Sequence, residues 1–546
     1  MPAANLKVVT AAQMTALEHE SERQGASTDT LMENAGLAVA EYARQRLGGV
    51  AGARVIILVG PGNNGADGLV AGRHLRRWGA EVTACLLTRR PEVDPKMDLA
   101  RDYGVATLNL AAGEGMAAYE RLLARSHLVI DSVLGTGRSR ALQGVVQEAL
   151  LQVAAIREGS GHPLLLALDV PTGLDSDTGA VDDATPAMDA TLVLGFPKAG
   201  LLSFPGAGRV GELVTLDIGL PNGVGQDDIA LELLTPEWVA SQLPPRPLDS
   251  HKGTYGHLLV VAGSRNYVGA ACLVARAAHR AGAGLVTLAT PKSVYPIVAA
   301  QLTETIHLPL PEDEDGRVHP DAAHMVREVL PRYDALAVGS GMGQSDGVSG
   351  FMESLLLAAP FLNLPVLVDA DGLNSLPRLG SWWQQRSGPL VLTPHPGEMA
   401  TLTGLSTPDV QRDRVGVARE WAAQWQAVVV LKGAFTAIAE PVLPHTSGPQ
   451  RDGLVRLSPF ADPGLASGGT GDVLTGITGS LLAQGMDPFD AASCAVYLHG
   501  LAAELATNGR GPVGLLASEV ADSVPGAIGA VIQPRRSGNY SEGNRP

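Results

Sequence analysis

The stretch RVIILVGPGNNGADGLVAGRHLRRWG, residues 54–79, decides the first half of the fold. RVIILV is a short, almost unbroken apolar run, the pattern of a strand buried on both faces. GPGNNGADG follows as a glycine-rich loop, and LVAGRHLRRWG reads as a helix. Strand, glycine loop and helix together open a doubly wound parallel sheet. Two helices precede this unit: AAQMTALEHESERQ, capped by Thr10, and LMENAGLAVAEYARQRL, started by Thr28 or Asp29. The alternation continues through EVTACLL, HLVIDSVLG (127–135), PLLLALDVPTG (163–173) and ATLVLGF (190–196), and GELVTLDIGL closes it near residue 220.

A second series of strands starts at HLLVVAGS (257–264) and runs through GLVTLAT, DALAVGSGMG, LPVLVDADGLN, LVLTPHPGE and AVVVLKGAFT. These strands repeatedly end in glycine or a polar residue, and in open α/β sheets ligands sit beyond such ends. The expected organisation is therefore a domain over 1–222, a linker and domain entry over 223–250, a domain over 251–532 and a disordered tail over 533–546. A length of 546 residues suits two large domains.

The formal charge of −16 argues against nucleic acid and anionic membrane as partners. It leaves room for small anions held by backbone amides. Cys85, Cys272 and Cys494 are far apart and have neither zinc nor disulfide spacing, so they read as thiols in a reducing compartment. With no signal-like N-terminus and no apolar run of membrane-spanning length, the expected location is the cytoplasm.

Each half carries one constellation with chemistry in it. In the second half, GGTGD (468–472) opens a helix, whose unpaired amides point at a docked anion. Asp472 lies beside that anion, where its useful role is to accept a proton from a hydroxyl attacking a phosphoryl group. Lys432 follows a buried strand and can reach a phosphate, and His395 is held between Pro394 and Pro396. Asp369 and Asp371 either orient Asn374, line the pocket or cap a helix, and Lys252 with Tyr255 reads as a cover over the site. In the first half, Asn63, Asn64 and Asp67 bring polar side chains to the glycine loop, while Asp131 and Asp169 lie at two further strand ends. Three polar-tipped strands of one sheet converge there.

The second half resembles the ribokinase-like superfamily, and more closely the NAD(P)H-hydrate dehydratase family. HKGTYGHLLVVAGS (251–264), VGSGMGQ (338–344), VDADGLN (368–374), LTPHPGEM (392–399), VVLKG (429–433) and ADPGLASGGTGDVLTG (461–476) follow that family's order. The resemblance implies a ribokinase-like three-layer α/β domain. It also implies that Lys432, Gly433, Ala434, Phe435, Thr436 and Gly471 bind the nucleotide, and that Ala270, Gly343, His395 and Asp472 contact the hydrated cofactor. Asp472 is the implied base, ADP the phosphoryl donor and Mg2+ its companion. Asp462 stands where the family usually has Asn.

The first half resembles the NAD(P)H-hydrate epimerase family over roughly residues 10–220, which implies a Rossmann-like three-layer α/β domain. By that resemblance Asn64, Asp131 and Thr172 hold K+. Asn63, Asn64, Gly65, Ala66, Asp67, Gly135, Thr136, Gly137, Arg138, Ser139, Arg140, Ala141 and Asp169 contact the substrate, with Asp169 the acid/base and Lys198 its charged partner. Ala66 replaces the family's glycine, which is tolerable at negative φ, and Thr172 replaces serine and keeps the hydroxyl. The implied activity is epimerisation of R- and S-NADHX and NADPHX at C6, followed by ADP-dependent dehydration of the S form, in a self-associating protein. Three other readings compete. One is a small-molecule kinase with a stable phosphorylated product, and another makes the first half a binding module. The third is an NAD-dependent oxidoreductase, weakened by the lack of GxGxxG and of an acidic ribose anchor at the usual distance.

Overall fold

The computed structural model describes residues 5–112, 115–136, 141–159, 161–221, 223, 225–226, 228–357, 364–386, 388–442 and 453–532. Two compact units result. One is Leu6–Ile229, and the other runs from Ala230 onward and includes Asn5.

The strands of the first unit are β1 (Leu6–Lys7), β2 (Arg54–Val59), β3 (Glu81–Leu86), β4 (Ala106–Asn109), β5 (Leu128–Ser132), β6 (Leu164–Leu168), β7 (Ala190–Leu194) and β8 (Glu212–Leu216). β2 to β8 form one seven-stranded sheet in the order β4-β3-β2-β5-β6-β7-β8, with every neighbouring pair parallel. The order reverses between β2 and β5, which opens a crevice beyond their carboxyl ends. The two-residue period of a strand makes the layers. Val55, Ile57 and Val59 join a core with Val39 and Ala40 of helix Thr28–Arg46 and Leu69 and Leu75 of helix Asn63–Arg77. Ile56 and Leu58 face the other way, onto Tyr119 of helix Met116–Leu123 and Leu150 of helix Gly144–Arg157. The result is the Rossmann-like three-layer domain.

Two local boundaries differ from expectation. The second helix begins with Ser27 as its cap, the hydroxyl accepting from the Thr30 amide at 3.2 Å. NNGADG is not a loop: it forms the first turns of helix Asn63–Arg77. Glycine disfavours a helix locally, but packing overrides that preference here. Gly68 lies against Ser132 and Gly65 against the Gly60 carbonyl, so closely that a Cβ would collide at either position. Gly60 itself abuts the backbone of Val133, across the β2/β5 crevice. Gly60→Ala should therefore cost about 1–3 kcal/mol or more, read as a lowered thermal transition of the Leu6–Ile229 unit. An unchanged transition would mean that the crevice is looser than this packing shows.

The second unit contains β9 (Leu231–Leu233), β10 (His257–Val261), β11 (Leu285–Pro291), β12 (Ile306–Leu310), β13 (Ala335–Val338), β14 (Val366–Val368), β15 (Leu390–Leu392), β16 (Val428–Leu431), β17 (Ala437–Ala439) and β18 (Val455–Leu457). They are ordered β9-β18-β17-β16-β15-β14-β13-β10-β11-β12. Pairing is antiparallel only at β16–β17 and β17–β18. β9 and helix Pro236–Gln242 fall inside the 223–250 stretch read from sequence as linker and domain entry. Leu258, Val260, Leu288 and Ala337 pack with helices Val268–Arg280, Thr470–Ala483, Pro488–Thr507 and Ala517–Ile532. Leu259, Val261, Leu336 and Val338 are equally buried on the opposite face, and helix Arg414–Trp425 packs beside β16. This is the ribokinase-like three-layer domain.

Candidate active sites

In the first unit a cavity of about 840 Å³ lies beyond the strand ends, lined by Gly62, Asn63, Asn64, Asp67, Gly135, Thr136, Asp169 and Lys198. Asp169 follows β6 in the left-handed region, φ 65°, which a non-glycine residue adopts only when its surroundings hold it. The Thr136 hydroxyl donates to its Oδ2 at 2.7 Å and the Leu194 amide to its Oδ1 at 3.2 Å. Lys198 Nζ forms a buried ion pair with the same carboxylate. Asp67 enters from the first turns of helix Asn63–Arg77. Burial, then the charges of Asp169 and Glu18, push its carboxyl well above the usual range.

The three residues implied as K+ ligands are disposed differently. Asp131, fully buried at the end of β5, accepts from the Thr172 amide at 2.8 Å and the Thr172 hydroxyl at 2.7 Å. Thr172 thus does more than replace a serine hydroxyl: it ties the ends of β5 and β6 together. Asn64 is half-buried with its side-chain amide against Gly135, and among the described residues neither the amide oxygen nor the nitrogen has a hydrogen-bond partner. Ala66 sits inside the helix at negative φ, so its methyl group costs no backbone strain. Gly65 is buried in the same helix, and Ala141 is exposed. Gly137, Arg138, Ser139 and Arg140 lie outside the described residues, as does the tail 533–546. Sequence reasoning did not reach Met14, Thr15 and Glu18, which line the same cavity from the first helix. Their positions at i, i+1 and i+4 share one helix face, but nothing in the sequence says that this face meets the sheet ends.

In the second unit, helix Thr470–Ala483 begins after Gly469, φ 91°, so Gly471 and Asp472 occupy its first turn. Burial, and then the nearby Asp369 charge, raise the Asp472 carboxyl to about 7, against a hydrogen bond from Ser340 and the charge of Lys432. A Cβ on Gly471 would lie 3.6 Å from Lys432 Nζ, so the glycine leaves the ammonium open toward the helix start. Lys432 Nζ is 2.8 Å from Asp369 Oδ1 and 3.7 Å from Glu398 Oε2. Asp369 also accepts from the Thr393 hydroxyl at 2.7 Å and the Thr475 hydroxyl at 2.8 Å. Burial alone would raise its carboxyl; Lys432 and the two threonines hold it below its usual range. Asp369 is thus neither a helix cap nor a partner of Asn374. It is the buried anion that joins three strand ends to the Asp472 helix. Asp371 instead accepts from the Gly343 amide at 2.8 Å.

The 432–436 loop is pinned from behind. Arg414 donates to the Ala434 carbonyl and, at 2.8 Å, to that of Leu431. Phe435 has φ 50°, and the Thr436 hydroxyl bonds the Gly433 carbonyl at 2.8 Å. His395 caps helix Pro396–Thr403, its Nδ1 accepting from the Gly397 and Glu398 amides, and its ring is half-exposed. Ala270 sits against Gly341, two residues before Gly343. Asp462 caps its own turn, accepting from the Gly464 amide at 2.7 Å, so its extra charge is locally used. The cover expected from Lys252 and Tyr255 is not there. Those residues precede β10 at its amino end, where Gly256 packs on Ala483, the last residue of the Asp472 helix and about 16 Å along its axis.

Two family models match the chain, one in each unit. Residues 258–526 match the model of a family described as NAD(P)H-hydrate dehydratase, and residues 28–200 that of a family described as YjeF-related protein N-terminus. The chain is similar to the bifunctional NAD(P)H-hydrate repair enzyme Nnr of Moorella thermoacetica, 39% identical over 525 residues, which span 95% of this chain and 96% of that protein. The Thermofilum pendens protein of the same name is 36% identical over 531 residues, 96% of this chain and 97% of its own. A solved ADP/ATP-dependent NAD(P)H-hydrate dehydratase from Bacillus subtilis, co-crystallized with ATP/Mg2+, is 36% identical and covers 55% of this chain and 98% of its own, with a TM-score of 0.46.

Proposed function

The chain belongs to the family of bifunctional NAD(P)H-hydrate repair enzymes, and from that membership we propose how its two units divide the work. The Leu6–Ile229 unit interconverts R- and S-NAD(P)HX at C6. The unit from Ala230 onward dehydrates S-NAD(P)HX with ADP as phosphoryl donor, releasing AMP and phosphate. One observation carries the reading: Asp472, a carboxyl raised to about 7, stands in the first turn of a helix beside Lys432. A base poised near neutrality next to an anion site suits phosphoryl transfer to a hydroxyl.

In the dehydratase, Asp472 takes the proton of the C6 hydroxyl as its oxygen attacks the terminal phosphorus of ADP. The bond to the bridging oxygen breaks and AMP leaves. The first-turn amides and Lys432 hold the phosphate oxygens, and the 432–436 loop, pinned by Arg414, lines the nucleotide. The ring nitrogen lone pair then expels the C6 phosphate, and loss of the C5 proton restores the reduced nicotinamide. Asp369 and Glu398 are committed to Lys432, and among the described residues no group of three His, Cys, Asp or Glu side chains could hold a metal; Mg2+ would come with the ADP and, when bound, would neutralise phosphate charge.

In the epimerase, Asp67 holds the proton that the departing C6 hydroxyl needs, and the ring nitrogen lone pair stabilises the cation left behind. Asp169, paired with Lys198, takes a proton from the water that adds to the other face. Asn64 Oδ1, the Asp131 carboxylate and the Thr172 hydroxyl are hard oxygens that fit K+, and the unpartnered Asn64 amide is the feature that such an ion would satisfy. When bound, K+ supplies positive charge beside a buried carboxylate. We place the protein in the cytoplasm as a self-associating enzyme whose partners are NADHX, NADPHX and ADP. Among the described residues no helix is long and apolar enough to cross a membrane.

The test follows the absorbance of reduced nicotinamide in a mixture of R- and S-NADHX with ADP, magnesium and potassium. Complete recovery, faster than spontaneous epimerisation allows, is expected. A stable phosphorylated product without recovery would identify a small-molecule kinase instead. Recovery of the S fraction alone would reduce the first unit to a binding module.

A pH dependence follows from the Asp472 environment. Its carboxyl must be ionised to act, so the dehydration rate should fall as pH drops through about 7. Asp369→Asn removes a negative charge that raises this carboxyl and frees Lys432 to approach it. The acid limb of the pH–rate profile should then move to lower pH. A limb that stays in place, or moves upward, would exclude this coupling.

A further inference from the structure

A second cavity, of about 410 Å³, opens beyond β3 and β4, lined in part by Thr88, Arg89, Arg90 and Arg101 and by the carboxylates Glu92, Asp94 and Asp98. The first cavity lies on the other side of the β2/β5 crevice, beyond β5, β6 and β7. The Gly60–Gly65 turn stands between the two. Gly62 lines the first cavity, while Arg90, which lines the second, donates to the Gly60 carbonyl. A dinucleotide bound at such a crevice crosses it with its pyrophosphate at the helix N-terminus and its two nucleosides on opposite sides. The nicotinamide end must reach Asp169 and Lys198, which leaves the β3–β4 side for the adenosine.

On that side the usual acidic anchor for a ribose 2′-hydroxyl is missing. β3 ends at Leu86 and continues Leu87-Thr88-Arg89-Arg90. Thr88 Oγ1 is buried and, among the described residues, has no hydrogen-bond partner. Arg89 and Arg101 have carboxylate partners, but loose ones. Arg89 lies 3.7 Å from Glu92 and Arg101 lies 3.7 Å from Asp98, with all four side chains more than half exposed. Ion pairs of that kind contribute little and are readily exchanged. Arg90 is committed to Asp94 and to the Gly60 carbonyl and shapes the turn. A planar guanidinium prefers a phosphate dianion, which it can meet with two parallel hydrogen bonds.

We propose that this second cavity takes the adenosine end of the hydrated cofactor, and that Arg89 and Arg101, with the Thr88 hydroxyl, bind its 2′-phosphate. The epimerase unit is then selective for NADPHX over NADHX. The inference rests on the epimerase reading of this unit.

The experiment measures epimerisation of R-NADPHX and R-NADHX by chromatography, with the full chain and without ADP, so that the dehydratase has no phosphoryl donor. Wild type should favour NADPHX by about 10- to 100-fold in kcat/KM. Arg89→Ala/Arg101→Ala should bring that ratio close to one through a higher KM for NADPHX. Equal use of both hydrates by wild type, or a preference that survives the double variant, would overturn the assignment. Calorimetric titration with 2′-phospho-ADP-ribose and ADP-ribose reads the subsite without turnover. Tighter binding of the phosphorylated probe, lost in the double variant, supports the subsite even if neither hydrate is epimerised, in which case only the epimerase reading fails. Equal binding of the two probes rejects the subsite.

Discussion

Asp472→Asn should lower ADP-dependent recovery of NADH from S-NADHX by about 10²–10⁴-fold, the range expected on removing a positioned general base. The amide keeps the size of the carboxyl and its contact with Ser340, so the helix start and Lys432 stay in place. Stability should move in the opposite direction to activity. In the folded chain the Asp472 carboxyl ionises near 7, and in the unfolded chain near an ordinary aspartate value of about 4. Ionisation therefore costs folding free energy, a cost that grows as pH rises from about 4 to about 7 and is constant above. Asn carries no such cost, so the variant should melt no lower than wild type at pH 8 and close to it at pH 3. An inactive variant with a clearly lower melting temperature at pH 8 would point to lost structure instead of a lost base. Retained activity would remove Asp472 from the mechanism.

Lys198→Met should have the largest effect in the first unit. It leaves the Asp169 carboxylate buried without its cation, a change that costs about 3–5 kcal/mol when an ion pair is broken on one side. Two units imply that denaturation need not be a single step, and the transition belonging to Leu6–Ile229 should be the one that falls. R-NADHX should no longer be consumed faster than it epimerises spontaneously, while S-NADHX is still dehydrated. The double variant Asp169→Asn/Lys198→Met separates stability from function. Asn tolerates the left-handed backbone at 169 and brings no charge, so most of the lost stability should return and the epimerase activity should not. Restored epimerisation in the double variant would make the ion pair structural only.

Which residues would meet was legible unevenly, for reasons visible at particular positions. Asp472, Lys432, Asp169 and Lys198 could be named because each stands next to a strand end or a glycine-marked helix start, and α/β topology sends such positions to one edge of a sheet. Asp369 was visible as a residue but not as the hub of a buried network, because its partners Thr393, Lys432 and Thr475 are 24, 63 and 106 residues away. Glu398 and Arg414 gave no signal at all. One looks like an ordinary first-turn helix acid and the other like a helix-start cation until the fold turns them toward Lys432 and the 432–436 loop.

The same division holds for the fold. The unbroken apolar run of β2 and the repeated strand–turn–helix pattern are local, because each strand's own side chains decide which faces it can bury. The sequence alone therefore determined two three-layer α/β domains and the family to which they belong. It did not determine that Asn63–Gly68 is helical. Local propensity argues for a loop there, and only the close approach of Gly65 to Gly60 and of Gly68 to Ser132 settles the matter. Nor did it determine how charge is distributed in the sites. A carboxyl near 7 at Asp472, an Asp67 carboxyl pushed well above its usual range and a lysine locked between Asp369 and Glu398 all depend on desolvation and on charges brought together from distant segments. Those are properties of three-dimensional packing, which residue order constrains but does not display.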